Sequence, residues 1–356
     1  MKTKIIKLNH QGKGITYIND KITFVTNALK DEEVNIEITK ENKKYNEAIV
    51  TSYITSSPSR VTPACPYYNK CGGCNLMHMD YKSSLVFKET KLKEILHNFD
   101  SHINNIVPSP KIFHYRNKLI LHNNSLYETK TNNEIEIKTC LIASENINNM
   151  IKPYKGEKTY KDYDYKNMFY LNNYKFISTN DSFFQINKEQ TINMYNIINE
   201  YIIKLNKPNV IDLYCGVGSI GIYISKNTTK VLGIEINKNS FICANKNILL
   251  NNITNVEIIN ASSDIINTLD IKEYTTLVVD PPRSGLSKTV LSTIIAHKFN
   301  TIIYVSCDPM TLSRDLLILN KIYDVIEITP LDMFPQTYHV ECVSLLVRKT
   351  FENNNF

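Results

Sequence analysis

Polar and apolar positions alternate through residues 1–57, in "KTKIIKLNH", "GITYIND", "KITFVTNAL", "EEVNIEITK" and "YNEAIVTSYI". Gly12, Gly14, the "IND" turn and "KDEE" punctuate these runs, whose β-branched residues favour extended backbone. The pattern predicts about five short strands closing into a small OB-like β-barrel, an architecture that often binds single-stranded nucleic acid. Residues 58–178 are mixed. "YKSSLVFKETKLKEILHNF" carries apolar residues at helical spacing, with Ser83 or Ser84 as candidate cap. "YRNKLILHNN", "SLYETKTNNEIEIKTC" and "KDYDYKNMFYLNNYKFIS" read as antiparallel strands, giving a small α+β central domain.

From residue 179 onward, apolar strands alternate with helices. Runs such as "TLVVD" and "TIIYVS" are apolar throughout, as strands covered on both faces must be. Residues 179–356 therefore read as a doubly wound, Rossmann-like α/β domain, with a "FENNNF" tail expected to fray.

The 356-residue chain has a net charge of +6, which permits a polyanionic partner without requiring one. No apolar run approaches the ~18–20 residues needed to cross a bilayer, and "MKTKIIKLNHQGKG" has no signal-peptide core. The expectation is a cytoplasmic protein, a monomer with no membrane partner. In that reducing compartment its eight cysteines suggest metal ligation or catalysis rather than disulfides.

"DLYCGVGSIG" ends a strand and opens a helix with Gly216, Gly218 and Gly221 in GxGxxG spacing. Alone, that motif also fits a dinucleotide. Asp212 at the strand end would repel a pyrophosphate but suits an ammonium and a sulfonium. Glu235, closing the next strand in "VLGIEIN", is placed for ribose hydroxyls. A cationic ligand with a ribose points to S-adenosylmethionine, with Tyr214 also in its loop. In "VVDPPRSGL", Asp280 lies at a strand's carboxyl end and two prolines stiffen the turn behind it. Arg283 suits either that carboxylate or an RNA phosphate.

Cys307 in "TIIYVSCDPMTLSRDLLIL" sits between an apolar strand and a helix with an early Pro309. A thiol at a helix N-terminus is expected to ionise more easily than a free one. Glu341 in "HVECVSLLV" is costly to bury unless paired or catalytic. A thiolate adding to C6 of uracil makes C5 nucleophilic towards a methyl sulfonium. A base must then take the C5 proton so that the cysteine can leave.

Together, "DLYCGVGSIG", "DPPRSGL", "YVSCDPMTLSRDL" and "DMFPQTYHVE" resemble the RNA 5-methyluridine methyltransferases, and the N-terminal barrel resembles the RNA-binding TRAM domain. The resemblance spans essentially the whole chain. It implies Cys307 as nucleophile and Glu341 as base, with Gln185 of "SFFQIN", Glu235 and Asp280 at the cofactor. "YRNKLIL" matches a family segment, which makes Arg116 and Lys118 candidate RNA contacts.

Cys65, Cys71 and Cys74 in Cx5CxxC spacing, with Cys140 in "IKTCLIAS", supply four thiolates, which fit either zinc or a [4Fe–4S] cluster. Resemblance to the ribosomal-RNA members, which carry "CGGC" here, implies the cluster and 23S rRNA as substrate. The same chemistry on a tRNA loop uridine, and a metal-stapled RNA-binding module without catalysis, are the competing readings. The Pro-Cys loop of a DNA cytosine methyltransferase is absent. Two positions depart from the family. Met77 precedes His78 where a Gln is usual, and Ser262 replaces an acid expected near adenine, for which Asp264 is the candidate substitute.

Overall fold

The computed structural model describes residues 1–129, 131–162, 168–179 and 182–349; the "FENNNF" tail and the middle of "KDYDYKNMFYL" lie outside them. The first six strands form one sheet in the order Lys2–Lys4, Glu33–Glu41, Asn46–Thr55, Lys21–Thr26, Gly14–Ile18, Lys7–Leu8. Its two edge strands are separated in sequence only by Ile5 and Ile6, so the sheet closes on itself. At that seam the Ile5 amide donates to Glu32 O (2.9 Å) and the Ile6 amide to Ile15 O (2.9 Å). The run "KTKIIKLNH", expected as one strand, thus supplies two. Ile5, Val25, Ala28, Val34, Ile36 and Ala48 fill the barrel. Asn19 and Asp20, both at positive φ, make the two-residue turn expected at "IND".

The helix expected after the first cysteines spans Tyr81–Ile95, but its cap is Asp80, which accepts from the Ser83 amide (2.9 Å). The Ser83 hydroxyl instead meets Ser59, and that of Ser84 turns back to Tyr81 O. Four short strands, Glu157–Lys161, Lys118–His122, Ser125–Tyr127 and Glu134–Glu136, make a small antiparallel sheet. A hairpin of Met168–Leu171 and Tyr174–Ile177 follows.

The large sheet has seven strands in the order Val256–Asn260, Lys230–Glu235, Asn209–Leu213, Thr276–Val279, Thr301–Ser306, Glu341–Arg348, Tyr323–Leu331. The first five are parallel; Glu341–Arg348 runs antiparallel between its neighbours. The strand order reverses beside Asn209–Leu213, which opens a crevice at the carboxyl ends. Leu92 of the Tyr81–Ile95 helix and Leu96, its C-terminal cap, pack into the core beneath this sheet with Leu277, Ile302 and Leu316. Residues 103–107 run along Tyr323–Leu331, with the Asn104 amide donating to Ile328 O and that of Val107 to Pro330 O. Part of the central region is therefore built into the C-terminal sheet. No helix among the described residues is long and apolar enough to cross a membrane.

Lys88 reaches from that helix to Asp332 (Nζ to Oδ1, 2.5 Å), with the two side chains only 1% and 0% exposed. Removing one partner strands a buried charge. Lys88→Met is expected to lower the unfolding free energy by about 3–5 kcal/mol, and Lys88→Met/Asp332→Leu to recover part of it, measured by urea titration. A loss for the single variant below about 1 kcal/mol contradicts a paired, dry Asp332.

Candidate active site and cysteine cavity

Four strand ends and one strand start meet at the same edge of the large sheet. After Asn209–Leu213 the chain turns at Tyr214 (φ 64°), Gly216 (φ 56°) and Gly218 (φ 77°) before the short helix Ser219–Ile224. The Gly216 amide donates to Glu235 Oε2 (2.9 Å), and the Asn237 amide to Oε1 (2.6 Å), so Glu235 stands at the mouth of the loop. Tyr214 is half-buried beside Ser263. A Cβ on Gly221 would press on Val231 (3.2 Å), which makes this third glycine a packing residue.

Asp212 departs from the expectation. It is 0% exposed, and its Oδ2 accepts from the Gly221 amide at 3.1 Å. With no surface open to a ligand, it braces the glycine loop from below instead of anchoring an ammonium. Burial pushes its carboxyl up to about 8, which the Gly221 hydrogen bond opposes and Asp280 and Glu235 increase.

Asp280 follows Thr276–Val279 directly. Gln185 Nε2 donates to its Oδ2 at 3.4 Å, so the "SFFQIN" segment is brought against "DPP". Burial raises the Asp280 carboxyl to about 6, opposed by Gln185. Cys307 leaves the end of Thr301–Ser306, and Glu341 opens the neighbouring strand. Their register ends on the pair Ser306–Cys342, so the next step sets Cys307 beside Glu341. Directly facing residues on antiparallel strands have Cβ atoms about 4.5–5.5 Å apart. Glu341 is buried; desolvation first and Asp280 second keep its carboxyl protonated well above the usual range, while Arg283 opposes them.

The Cys307 thiol also departs from the expectation. It is pushed up to about 12, chiefly by burial and then by Glu341 and Asp280, with Arg283 opposing. The helix behind it, Pro309–Leu319, gives no relief, because Asp308 caps it, accepting from Met310 (2.9 Å) and Thr311 (3.3 Å) amides. Arg283 is exposed and close enough to act on Cys307, Glu341 and His339.

Two features escape the sequence reading. Asp315, fully buried, accepts from Tyr304 Oη (2.8 Å) and the Leu286 amide (2.9 Å), while Arg314 donates to Ser284 O (3.0 Å). These bonds set the turn that carries Arg283; a carboxylate inside the apolar run "LSRDLLIL" was the available signal. His339 is held down to about 4 by burial and by Arg283, Lys91 and Lys88, and so is neutral. Asp264, the candidate substitute for Ser262, instead accepts from the Ser287 hydroxyl (2.5 Å).

Cys65, Cys71, Cys74 and Cys140 all line one cavity of about 360 Å³, with Arg116, Lys118, Tyr68 and Met77 on its wall. The thiols of Cys71 and Cys74 are raised by burial first and then by the other cysteines; that of Cys140 is raised by burial and by Cys65. Arg116 opposes all three. Among the described residues, no three His, Cys, Asp or Glu side chains converge tightly enough to share one ion. Four thiols around one cavity are a donor set that either zinc or an iron–sulfur cluster could use, and Arg116 is the cation beside them. Arg116 is also tied down through Nε to Lys118 O (2.8 Å). Both Arg116 and Lys118, expected as RNA contacts, thus line the cysteine cavity and stay half-buried.

Family models match both ends of the chain: TRAM at residues 3–51 and tRNA (uracil-5-)-methyltransferase at residues 154–349. An RNA methyltransferase of Clostridium tetani is 32% identical over 96% of this chain and 95% of that protein. One of Clostridium acetobutylicum is 30% identical, over 95% of each. Among solved structures, the Pyrococcus abyssi tRNA (uracil-54, C5)-methyltransferase in complex with S-adenosyl-L-homocysteine is similar with a TM-score of 0.78. It is 26% identical and the match covers 98% of this chain and 100% of that one.

The buried Asp212 yields a pH-dependent prediction. With its folded pKa at about 8 and its ordinary value at 3.8, the folded state binds the extra proton between those values. Its contribution is fully present at low pH and is lost as pH rises through about 8. Asp212→Asn, which keeps an acceptor for Gly221, should therefore melt higher than the parent at pH 8 and equally at pH 4. Parallel melting curves at both pH values contradict the burial of an ionisable group here.

Proposed function

Since the chain belongs to the tRNA (uracil-5-)-methyltransferase family, which uses S-adenosylmethionine, we propose that it methylates C5 of a uridine in 23S ribosomal RNA. The observation that carries the chemistry is the antiparallel register that sets Cys307 beside Glu341, within reach of Asp280 and Gln185. The methyl donor supplies an electrophilic methyl group and a positive charge. Gln185, Asp280, Glu235, Tyr214, Gly216 and Gly218 line its place at the sheet edge.

Two raised carboxyls and a raised thiol form a site short of positive charge. A cationic donor and Arg283 favour ionisation there, against the loss of water that raises these groups. Because Glu341 and Cys307 repel as anions, the Cys307 thiol gives its proton to water while Glu341 keeps its own. Cys307 Sγ bonds to C6, the C5–C6 π electrons shift to an enolate, and C5 takes the methyl group. With the sulfur now a neutral thioether, the repulsion on Glu341 falls, and its carboxyl releases its proton to water and becomes a carboxylate. It takes the C5 proton, the C5=C6 bond re-forms and Cys307 leaves as thiolate.

The four cysteines of the cavity hold a [4Fe–4S] cluster in this reading, with a structural role, since methyl transfer requires no electron. The four cysteines facing one cavity support this reading. The second substrate reading, a tRNA uridine, is favoured by the similarity to the P. abyssi enzyme across the barrel and cysteine region alike. Mapping 5-methyluridine in the rRNA and tRNA of a deletion strain separates the two.

Two measurements test the chemistry and the cluster. Cys307→Ala should bind RNA and donor but yield neither adduct nor product. Glu341→Gln should methylate once and stall, running on a denaturing gel as a slower band with labelled methyl in the RNA-linked species. An adduct with Cys307→Ala, or normal turnover with Glu341→Gln, overturns the roles. Anaerobically purified protein should be brown and contain about four irons per chain; stoichiometric zinc without iron removes the cluster.

A further inference from the structure

Between Tyr323–Leu331 and Glu341–Arg348 the chain passes through "DMFPQTYHV", a loop whose own bonds run from the Thr337 amide (3.2 Å) and hydroxyl (2.8 Å) to Phe334 O and from the His339 amide to Thr337 Oγ1 (3.3 Å). It delivers Glu341 to the sheet edge, and five of its carbonyls are also held from outside. Asn187 Nδ2 donates to Met333 O (3.1 Å) and Lys88 Nζ to Phe334 O (3.1 Å). Tyr115 Oη donates to Pro335 O (3.0 Å), and Lys91 Nζ to Tyr338 O (2.5 Å).

The remaining support comes from the cysteine loop. Asn75 directly follows Cys74, and the amides of Asn75 and Leu76 both donate to Gln336 O at 3.0 Å. The Tyr338 amide returns a bond to Asn75 Oδ1 at 2.9 Å. Gln336 adopts φ 68°, a left-handed conformation unusual for a residue with a side chain. Strain of this kind persists where the surroundings over-determine the backbone. Here two amides fix the Gln336 carbonyl and one side-chain oxygen fixes the amide two residues on. Glu341 begins its strand three residues after Tyr338.

From this geometry we infer that Asn75 is a positioning residue for Glu341: it clamps the approach loop to the cysteine loop and so sets the carboxylate against C5. The inference rests on the roles of Cys307 and Glu341 proposed above. It links the cysteine cavity to the proton-removal step by a chain of three hydrogen bonds, with no electron transfer. In that step the C5 proton passes to the Glu341 carboxylate as C5=C6 re-forms and the Cys307 thiolate is expelled. Attack by Cys307 on C6 comes earlier and depends on another strand, so it should be spared when Asn75 is lost.

The test follows adduct and product separately, in the full-length protein with labelled methyl donor and substrate RNA. Asn75→Ala should lower turnover about 10- to 100-fold, the range for a small misplacement of a reacting group. It should at the same time accumulate the RNA-linked band seen with Glu341→Gln. Asn75→Asp keeps an oxygen for the Tyr338 amide and should restore resolution of that band. Should Asn75→Ala be insoluble, Asn75→Gln carries the same amide displaced by one methylene and should show the same stall. A merely structural role predicts that adduct and product fall together, and that result overturns the inference. An adduct with Glu341→Gln but not with either Asn75 variant overturns it too, while leaving the assigned roles standing. No adduct with any of them overturns both.

Discussion

The antiparallel register between Thr301–Ser306 and Glu341–Arg348 is the constraint on which the site depends. Side chains alternate faces along a strand, so a slip of one residue would carry Glu341 to the opposite face and leave Cys307 beside an apolar neighbour. The surrounding structure secures that register. Tyr323–Leu331 flanks Glu341–Arg348 on its other side and pairs Leu331 with Glu341. Ile302, Tyr304, Cys342 and Leu346 fill one core of the sheet, while Ile303, Val305 and Val343 fill the other. A sliding strand would have to exchange these two sets.

Such a site is costly in electrostatic terms. Asp212 and Glu341 are buried and Asp280 half-buried, and each carboxyl is raised by the loss of water around it. The free protein therefore holds protons where the reaction needs negative charge. Arg283 is the cation that opposes this at Cys307 and Glu341, and its turn is fixed by the buried Asp315. The motifs "DPPRSGL" and "LSRDL" thus form one device: the second holds the first, and the first aims a guanidinium at the reacting groups.

Much of this was legible in the sequence. Both-face apolar runs marked the parallel sheet, and alternation marked the barrel, because each pattern follows from which faces are covered. Strand ends marked Glu235, Asp280 and Cys307. What sequence could not supply was direction and company. Within a strand covered on both faces, nothing told whether Asp212 faced a ligand or the helix beneath the glycine loop. A helix start was visible after Cys307, but not that Asp308 had already occupied its amides. That Arg116 lies beside the cysteines was not legible, because they come together only in three dimensions. Asp80 was overlooked as a cap because two serines stood nearby.

The buried pair of Lys88 and Asp332 joins residues 244 positions apart. During synthesis at about 5–20 residues per second, the helix bearing Lys88 emerges roughly 12–50 s before its partner exists. Leu92 and Leu96 wait for Leu277, Ile302 and Leu316, and Lys88 stays hydrated until Asp332 arrives. The barrel faces no such delay, since all its strand pairings lie within the first 55 residues. On the ribosome, a finished RNA-binding head would therefore precede an open, apolar helix that waits for the last strands. That interval is when a chaperone would have most to hold.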